Sequence, residues 1–320
     1  MGLFFANANL PVPAIPTIGV GLYWVYAGST SVMLYSNHPS GSVFVPCFKS
    51  STGEATIVEI KTADLPVTLS MTSSGVNGLD TGSVAADKFY CIRMIAKADG
   101  GDPALLATLN AGTPTIPTAY QGGVMSDILW GVSCCVDYDS SGADDEIHPF
   151  MQTGSGVCQY QSGGEGYQGA GIHALNNGDA IASTAVDISH LAPAPVAYTR
   201  QESLGSVRVY VRGHNNNSIS RNGYVYWSAD GRTDADANDD DALEIMYQFQ
   251  KLDNAAGEGG RDESVTIEFP LAVSKTDHTL PGSPYTTTHT GTLANFLQYK
   301  WQGAASCQMN IWVQGWKLNG

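Results

Sequence analysis

Basic residues are scarce in this chain. Lys and Arg together number 15 in 320 residues, against 30 Asp and Glu, and the net charge is −15. The few cations do not cluster, so nucleic acid is not an expected partner, because phosphate binding needs concentrated Lys and Arg. Charge of either sign is thin, at 14% of residues, where an ordinary soluble domain carries about 25%. Hydrophobic content is an ordinary 43%, which excludes a disordered polyanion. Long apolar runs are also missing. GVGLYWVYAG (19–28) is far shorter than the roughly 20 residues that span a bilayer, so no membrane span is expected. No basic stretch precedes the first apolar residues, so no signal peptide is expected. The start MGLFFA lacks the Ser or Thr of a myristoylation motif.

The usual carriers of chemistry are absent too. There is no GxSxG, HExxH or GxxxxGK[ST], and no GxGxxG placed between a strand and a helix. The seven histidines (His38, His148, His173, His190, His214, His278 and His289) are scattered singly. The six cysteines (Cys47, Cys91, Cys134, Cys135, Cys158 and Cys307) form no CxxC and no zinc spacing. Most read as small buried hydrophobes. A disulfide between two of them stays open, but not between adjacent Cys134 and Cys135, which would point to opposite faces of a strand. No catalytic, cofactor-binding or metal-binding residue is assigned, and no enzyme activity is expected.

What is present is a succession of short alternating runs, punctuated by 36 glycines. ATIVEIKTADLPVTLSMT (55–72) reads as two strands, and KFYCIRMIA (88–96) and LLATL (105–109) as one each. ILWGVSCCVDY (128–138) is a buried strand with EIHPFMQ (146–152) as its hairpin partner. QSGGEGYQGAGIHALNNGDA (161–180) reads as a Gly-rich loop. Strands resume with VRVYVRG (207–213), GYVYWSA (223–229), ALEIMYQFQ (242–250), VTIEFPLAV (265–273), FLQYKW (296–301) and CQMNIWVQGWKL (307–318). The expectation is an all-β chain, a β-sandwich of jelly-roll type with long loops. A division into two sub-domains near 160–180 is open.

Residues 1–48 contain no Asp, Glu, Lys or Arg, and the first charge is Lys49. Two readings of this segment (1–50) stand side by side. It is a buried first strand pair behind a Pro-rich lead-in, PVPAIP (11–16), or it anchors the chain to its own copies or to a partner, since charge depletion marks an interface core.

Two acidic tracts invite a calcium reading. In DYDSSGADDEIHPF (137–150), Asp137, Asp139, Ser141 and Gly142 match the opening of an EF-hand loop, but His148 stands where the bidentate Glu belongs. In DGRTDADANDDDALE (230–244), Asp234, Asp236 and Asn238 alternate, but Asp239 replaces the loop glycine and Ile245 the Glu. The plainer reading is a hairpin tip in the first tract and a solvated turn in the second.

The order of motifs resembles bacteriophage and prophage tail-fibre and other virion-surface proteins. LDTGSVAADKFYCIRMIAKADGGDPALLATLNAGTPTIPTAYQ (79–121) is similar to a segment common there. It runs from an LDTG-like opening to an aromatic strand (Phe89, Tyr90), an ALL stretch (Ala104, Leu105, Leu106) and a PTxPxxY loop (Pro114, Thr115, Ile116, Pro117, Tyr120). DSSGADDEIHPFMQ (139–152) resembles the family's I-x-P-F-x-Q unit through Ile147, Pro149, Phe150 and Gln152. SADGRTDAD (228–236) resembles a loop of the same module, and NIWVQGWKLNG (310–320) its closing strand, with Gly315 and Trp316. The family usually has basic residues after the PTxPxxY loop, where this chain has GGVMSD (122–127).

The resemblance covers about 55–320 loosely and 79–152 best, within a fibre-like β-sandwich module expected over 51–320. It implies a non-enzymatic structural protein on a virion surface, a spike, head fibre or decoration protein, made in the host cytoplasm and assembled as a homo-oligomer, by analogy a trimer. Other virion proteins are expected at the N-terminal segment, and a host-surface glycan or protein is the expected external ligand. The alternatives are a carbohydrate-binding receptor-recognition protein, with Tyr160, Tyr167, Tyr224, Tyr226 and Trp227 as candidate stacking residues, or a polysaccharide depolymerase.

Overall fold

The computed structural model describes residues 21–85, 87–109, 114–126, 130–135, 146–154, 156–161, 171–193, 205–215, 221–227, 244–252, 261–271, 297–302 and 307–318. They form 21 strands and two single-turn 3₁₀ helices. In chain order the strands begin with β1 (Leu22–Gly28), β2 (Ser31–Ser36), β3 (Ser42–Lys49), β4 (Ala55–Lys61), β5 (Val67–Ser70), β6 (Gly78–Leu79) and β7 (Lys88–Ala96). Then come β8 (Ala104–Leu109), β9 (Val124–Ser126), β10 (Trp130–Cys135), β11 (Glu146–Ile147), β12 (Phe150–Gly154), β13 (Val157–Tyr160) and β14 (Ile172–Gly178). The chain closes with β15 (Thr184–Ala185), β16 (Gly205–Asn215), β17 (Arg221–Trp227), β18 (Glu244–Leu252), β19 (Arg261–Leu271), β20 (Leu297–Trp301) and β21 (Cys307–Leu318).

The chain is all-β, in the sandwich class. A nine-stranded sheet runs β19-β16-β21-β13-β12-β1-β2-β5, with β14 also on β21. An eight-stranded sheet runs β11-β10-β7-β9-β3-β4, with β8 on β7 and β6 on β8. A four-stranded sheet runs β15-β20-β17-β18. The two large sheets meet through aromatic rings. Trp130 of the eight-stranded sheet lies 5.9 Å from Trp24, 5.6 Å from Phe150 and 4.7 Å from Trp316 of the nine-stranded one. Phe89 meets Trp316 edge-on at 5.7 Å. Such rings bury the largest apolar areas per residue, so this cluster anchors the sandwich.

Period-2 alternation decides which side chains enter the core. In β16, Val207, Val209 and Val211 are fully buried while Arg208, Tyr210 and Arg212 point outward. β7 is buried along all but its first residue, on both faces of its sheet. Cys47, Cys91, Cys134, Cys158 and Cys307 are buried and form no disulfide with one another.

The expected hairpin between 128–138 and 146–152 is present only in part. β10 and β11 pair antiparallel, Cys134 with Ile147. After His148 and Pro149 the chain crosses to the other layer, where β12 pairs with β1 and β13. Proline cannot donate to a ladder, so it suits this crossing. The reading of 161–180 as loop needs correction over 172–178, where β14 pairs with β21. Two register shifts break its alternation, which hid the strand from its periodicity.

The charge-free segment, from residue 22 on, supplies β1 and β2 to the nine-stranded sheet and β3 to the eight-stranded one. The expected segment boundary at residue 50 falls between paired strands, since β3 returns as β4. Residues on both sides of 160–180 pair with the same strand, β21, through β13 and β16.

The motifs that carry the family resemblance are packing and turn devices. Asp80 of LDTG accepts the Thr115 N–H of the PTIP loop at 3.3 Å, and Tyr120 donates to the Asp102 carbonyl at 3.0 Å. Leu105 and Leu106 are fully buried. Gln152 of the I-x-P-F-x-Q unit accepts the Trp24 N–H at 2.6 Å, tying β12 to β1.

Candidate functional site

The outer face of the nine-stranded sheet gathers more polar and aromatic side chains than its period-2 pattern alone announces. Register places them in transverse rows. One row joins His214 of β16 to Asp262 of β19, and the neighbouring Arg212 reaches the same carboxylate. Burial raises the Asp262 pKa, but the hydrogen bonds and charges of Arg212 and His214 outweigh it and hold the carboxyl below its usual range.

A second row is aromatic. Tyr210, Trp312 and His173 face one another across β16, β21 and β14. His173 stacks on Trp312 at 4.6 Å, and Tyr210 lies 5.4 Å from it. Trp312 is only 4% exposed, so its faces are already occupied.

The third row holds a notch. Glu268, Arg208, Gly315 and Gln159 stand in register across β19, β16, β21 and β13. Gly315 is required for the backbone, because a Cβ there would lie 2.1 Å from the Cys158 carbonyl oxygen. Next to it a β-bulge makes Gln314 an extra residue between Val313 and Gly315. Bulges re-aim side chains and are over-represented at working sites. The missing side chain and the bulge leave a cleft of about 320 Å³. Its polar lining includes Thr153, Gln159, Arg208, Glu268, Gln314 and Lys317. Ser206, cross-strand from Lys317, donates to Glu268 Oε1 at 2.6 Å and fixes that carboxylate. Arg208, Lys317, Gln159 and Glu268 are exposed and reach solvent.

A second cluster looks like chemistry but serves packing. His148, at the twelfth position of the first acidic tract, is 9% exposed, and its ring meets Tyr160 at 6.1 Å. Burial pushes its pKa down to about 4, and the nearby His190 adds to the shift. Ser133 donates its hydroxyl to the His190 carbonyl at 2.5 Å, and Tyr160 donates to the Leu191 carbonyl at 2.8 Å. Both oxygens are buried and committed to the backbone, so they hold the 190–191 turn against β10 and β13.

The residues singled out from sequence are distributed as follows. Tyr160 is a core residue, 5% exposed. Tyr226 is 2% exposed, and Lys300 lies 5.0 Å from its ring and 5.6 Å from that of Tyr224. Tyr167 and the side chain of Trp227 lie outside the described residues, as do His278 and His289. So do the calcium candidates Asp137, Asp139, Ser141, Gly142, Asp234, Asp236 and Asn238. Among the described residues no group of three or more His, Cys, Asp or Glu is arranged to hold a metal ion. No helix among them is long and apolar enough to cross a membrane.

The cleft row was not singled out from sequence. Its signals were the outward positions of VRVYVRG and the Gly-Trp pair, but the row exists only through pairings between strands far apart in the chain.

No family model, curated protein or solved structure matches this chain. The functional reading therefore rests on the sequence motifs and the geometry alone.

Proposed function

We propose that this protein is a non-enzymatic structural component of a bacteriophage particle, displayed on its surface, assembled as a homo-oligomer and contributing to host attachment. The resemblance over 79–152 and the all-β sandwich support the reading, but fold alone does not carry function. One observation carries the assembly part. Among the described residues, the large hydrophobics that stay exposed are Tyr23, Phe48, Ile57, Val76, Leu109, Met151 and Ile181. Tyr23 and Phe48 lie in the charge-free residues 1–48, on β1 and β3. Ile57 and Met151 are cross-strand from Pro46 and Val25 of those same strands.

Four of these seven residues thus lie in the charge-free part of the chain or directly across a strand pair from it. Two copies, each carrying −15, repel least where acidic residues are missing, and contiguous apolar surface marks interaction sites. The test is twofold. Mass spectrometry of purified particles of the encoding phage or prophage is expected to find the protein, with antibody labelling at the surface. Native mass spectrometry of the purified protein is expected to show an oligomer that Tyr23→Glu combined with Met151→Glu weakens. Absence from purified particles, or a monomer at micromolar concentration, overturns the respective part.

A further inference from the structure

We infer that the notch over Gly315 is a binding site for an acidic saccharide unit, a sugar ring bearing a carboxylate. This names a ligand for the surface role proposed above, but it rests on the cleft and not on where the protein sits.

The shape comes first. About 320 Å³ lies at the lower end of the range for small-ligand sites. That fits one or two sugar rings and not a peptide or an extended apolar molecule. The floor is backbone and the Gly315 Cα, because the strand cannot carry a side chain there. The walls are Arg208 and Gln159, which flank the glycine in the same row on either side.

The lining chemistry comes second. Most side chains around the notch are hydrogen-bond formers, set beside the apolar Val157 and Trp316. Gln159 and Gln314 offer both donors and acceptors, Thr153 a hydroxyl, and Glu268 an acceptor. A lining of this kind suits a hydroxyl-rich ligand, which presents donors and acceptors around a compact ring.

Charge then selects among such ligands. The chain has only 15 basic residues, yet Arg208 and Lys317 both line this cleft. The carboxylate that faces them, Glu268, already accepts the Ser206 hydroxyl at 2.6 Å. Glu268 and Arg208 are directly opposed in register, as are Ser206 and Lys317. The two cations therefore bracket the notch along β16 and β21, while the one local carboxylate, Glu268, stands on β19 beyond Arg208. A ligand carboxylate between Arg208 and Lys317 would make charge-assisted bonds, with the guanidinium able to bind it bidentately.

The experiment uses the full chain on an immobilised array of oligosaccharides that contain uronate, sialate or only neutral hexoses. Wild type is expected to bind acidic members and to lose signal between 50 and 500 mM NaCl, as screened charge contacts do. Arg208→Gln with Lys317→Gln is expected to cut that binding at least tenfold while the melting temperature stays unchanged, because both side chains are exposed. Arg208→Lys is expected to recover part of it. Binding of neutral members alone, no binding of any acidic member, or binding that the double variant leaves intact overturns the inference. None of these outcomes bears on whether the protein is found in virions, which the particle analysis decides separately.

Discussion

Acidification is expected to destabilise this protein in part through the buried imidazole of His148. His148 has a folded-state pKa of about 4 because burial disfavours its charged form. In the unfolded chain its pKa returns to about 6.5. Between these values the unfolded state binds a proton that the folded state does not. Stability is therefore intact above about pH 7 and declines as pH falls through 6.5 toward 4. The contribution lost is about 2 kcal/mol at pH 5 and about 3 kcal/mol at pH 4. For a chain of this length each kcal/mol moves the melting temperature by about 2 °C.

The assay compares wild type with His148→Leu, melted at pH 7, 6, 5 and 4.5. The substitution shifts stability by an amount that does not depend on pH, so it cancels from the comparison across pH. Other titrating groups are common to both proteins, including His190, Asp87, Asp187 and Lys88 nearby. Relative to its value at pH 7, the wild-type melting temperature is expected to fall about 4 °C further than that of His148→Leu at pH 5. A difference between the two proteins that stays constant from pH 7 to 4.5 would refute the reasoning.

Other expectations concern the frame. Gly315→Ala forces a Cβ to 2.1 Å from the Cys158 carbonyl and is expected to cost at least about 2 kcal/mol, read as a lower urea midpoint. Trp130→Ala removes the ring that meets Trp24, Phe150 and Trp316 and is expected to cost about 3–5 kcal/mol in the same assay. Gln152→Met, close in shape, leaves the Trp24 N–H without its 2.6 Å acceptor and is expected to cost about 1–3 kcal/mol. Adding a chelator is expected to leave the melting temperature unchanged, which would remove calcium from the acidic tracts at 137–146 and 230–244 as a stabilising ligand.

The strands were legible in the sequence wherever one face meets the core and the other meets water. VRVYVRG and CQMNIWVQGWKL declare themselves because valine and isoleucine alternate with polar residues. β14 did not, because its two register shifts remove the alternation. The crossing at Pro149 was half legible: the hairpin register of Cys134 with Ile147 follows from proximity, but the jump of β12 to the other layer depends on β1. The cleft was illegible for a related reason. Glu268, Arg208, Gly315 and Gln159 come from four separate strands, and only the pairing order of the finished sheet makes them a row. Gly315 stood out in the sequence as part of a Gly-Trp pair. That the glycine is a floor and the tryptophan a core residue is a fact of the β13–β21 contact.

The bond between Trp24 and Gln152 also sets a timetable for the ribosome. Its two residues lie 128 positions apart. At about 5–20 residues per second, β1 emerges roughly 6–25 s before the strand that covers its far edge. During that interval a charge-free, aromatic strand has only its hairpin partner β2, and its open edge is exposed to every other nascent chain. Synthesis at lower temperature, or with holdase chaperones in excess, should therefore raise the soluble yield more than any change to the finished surface.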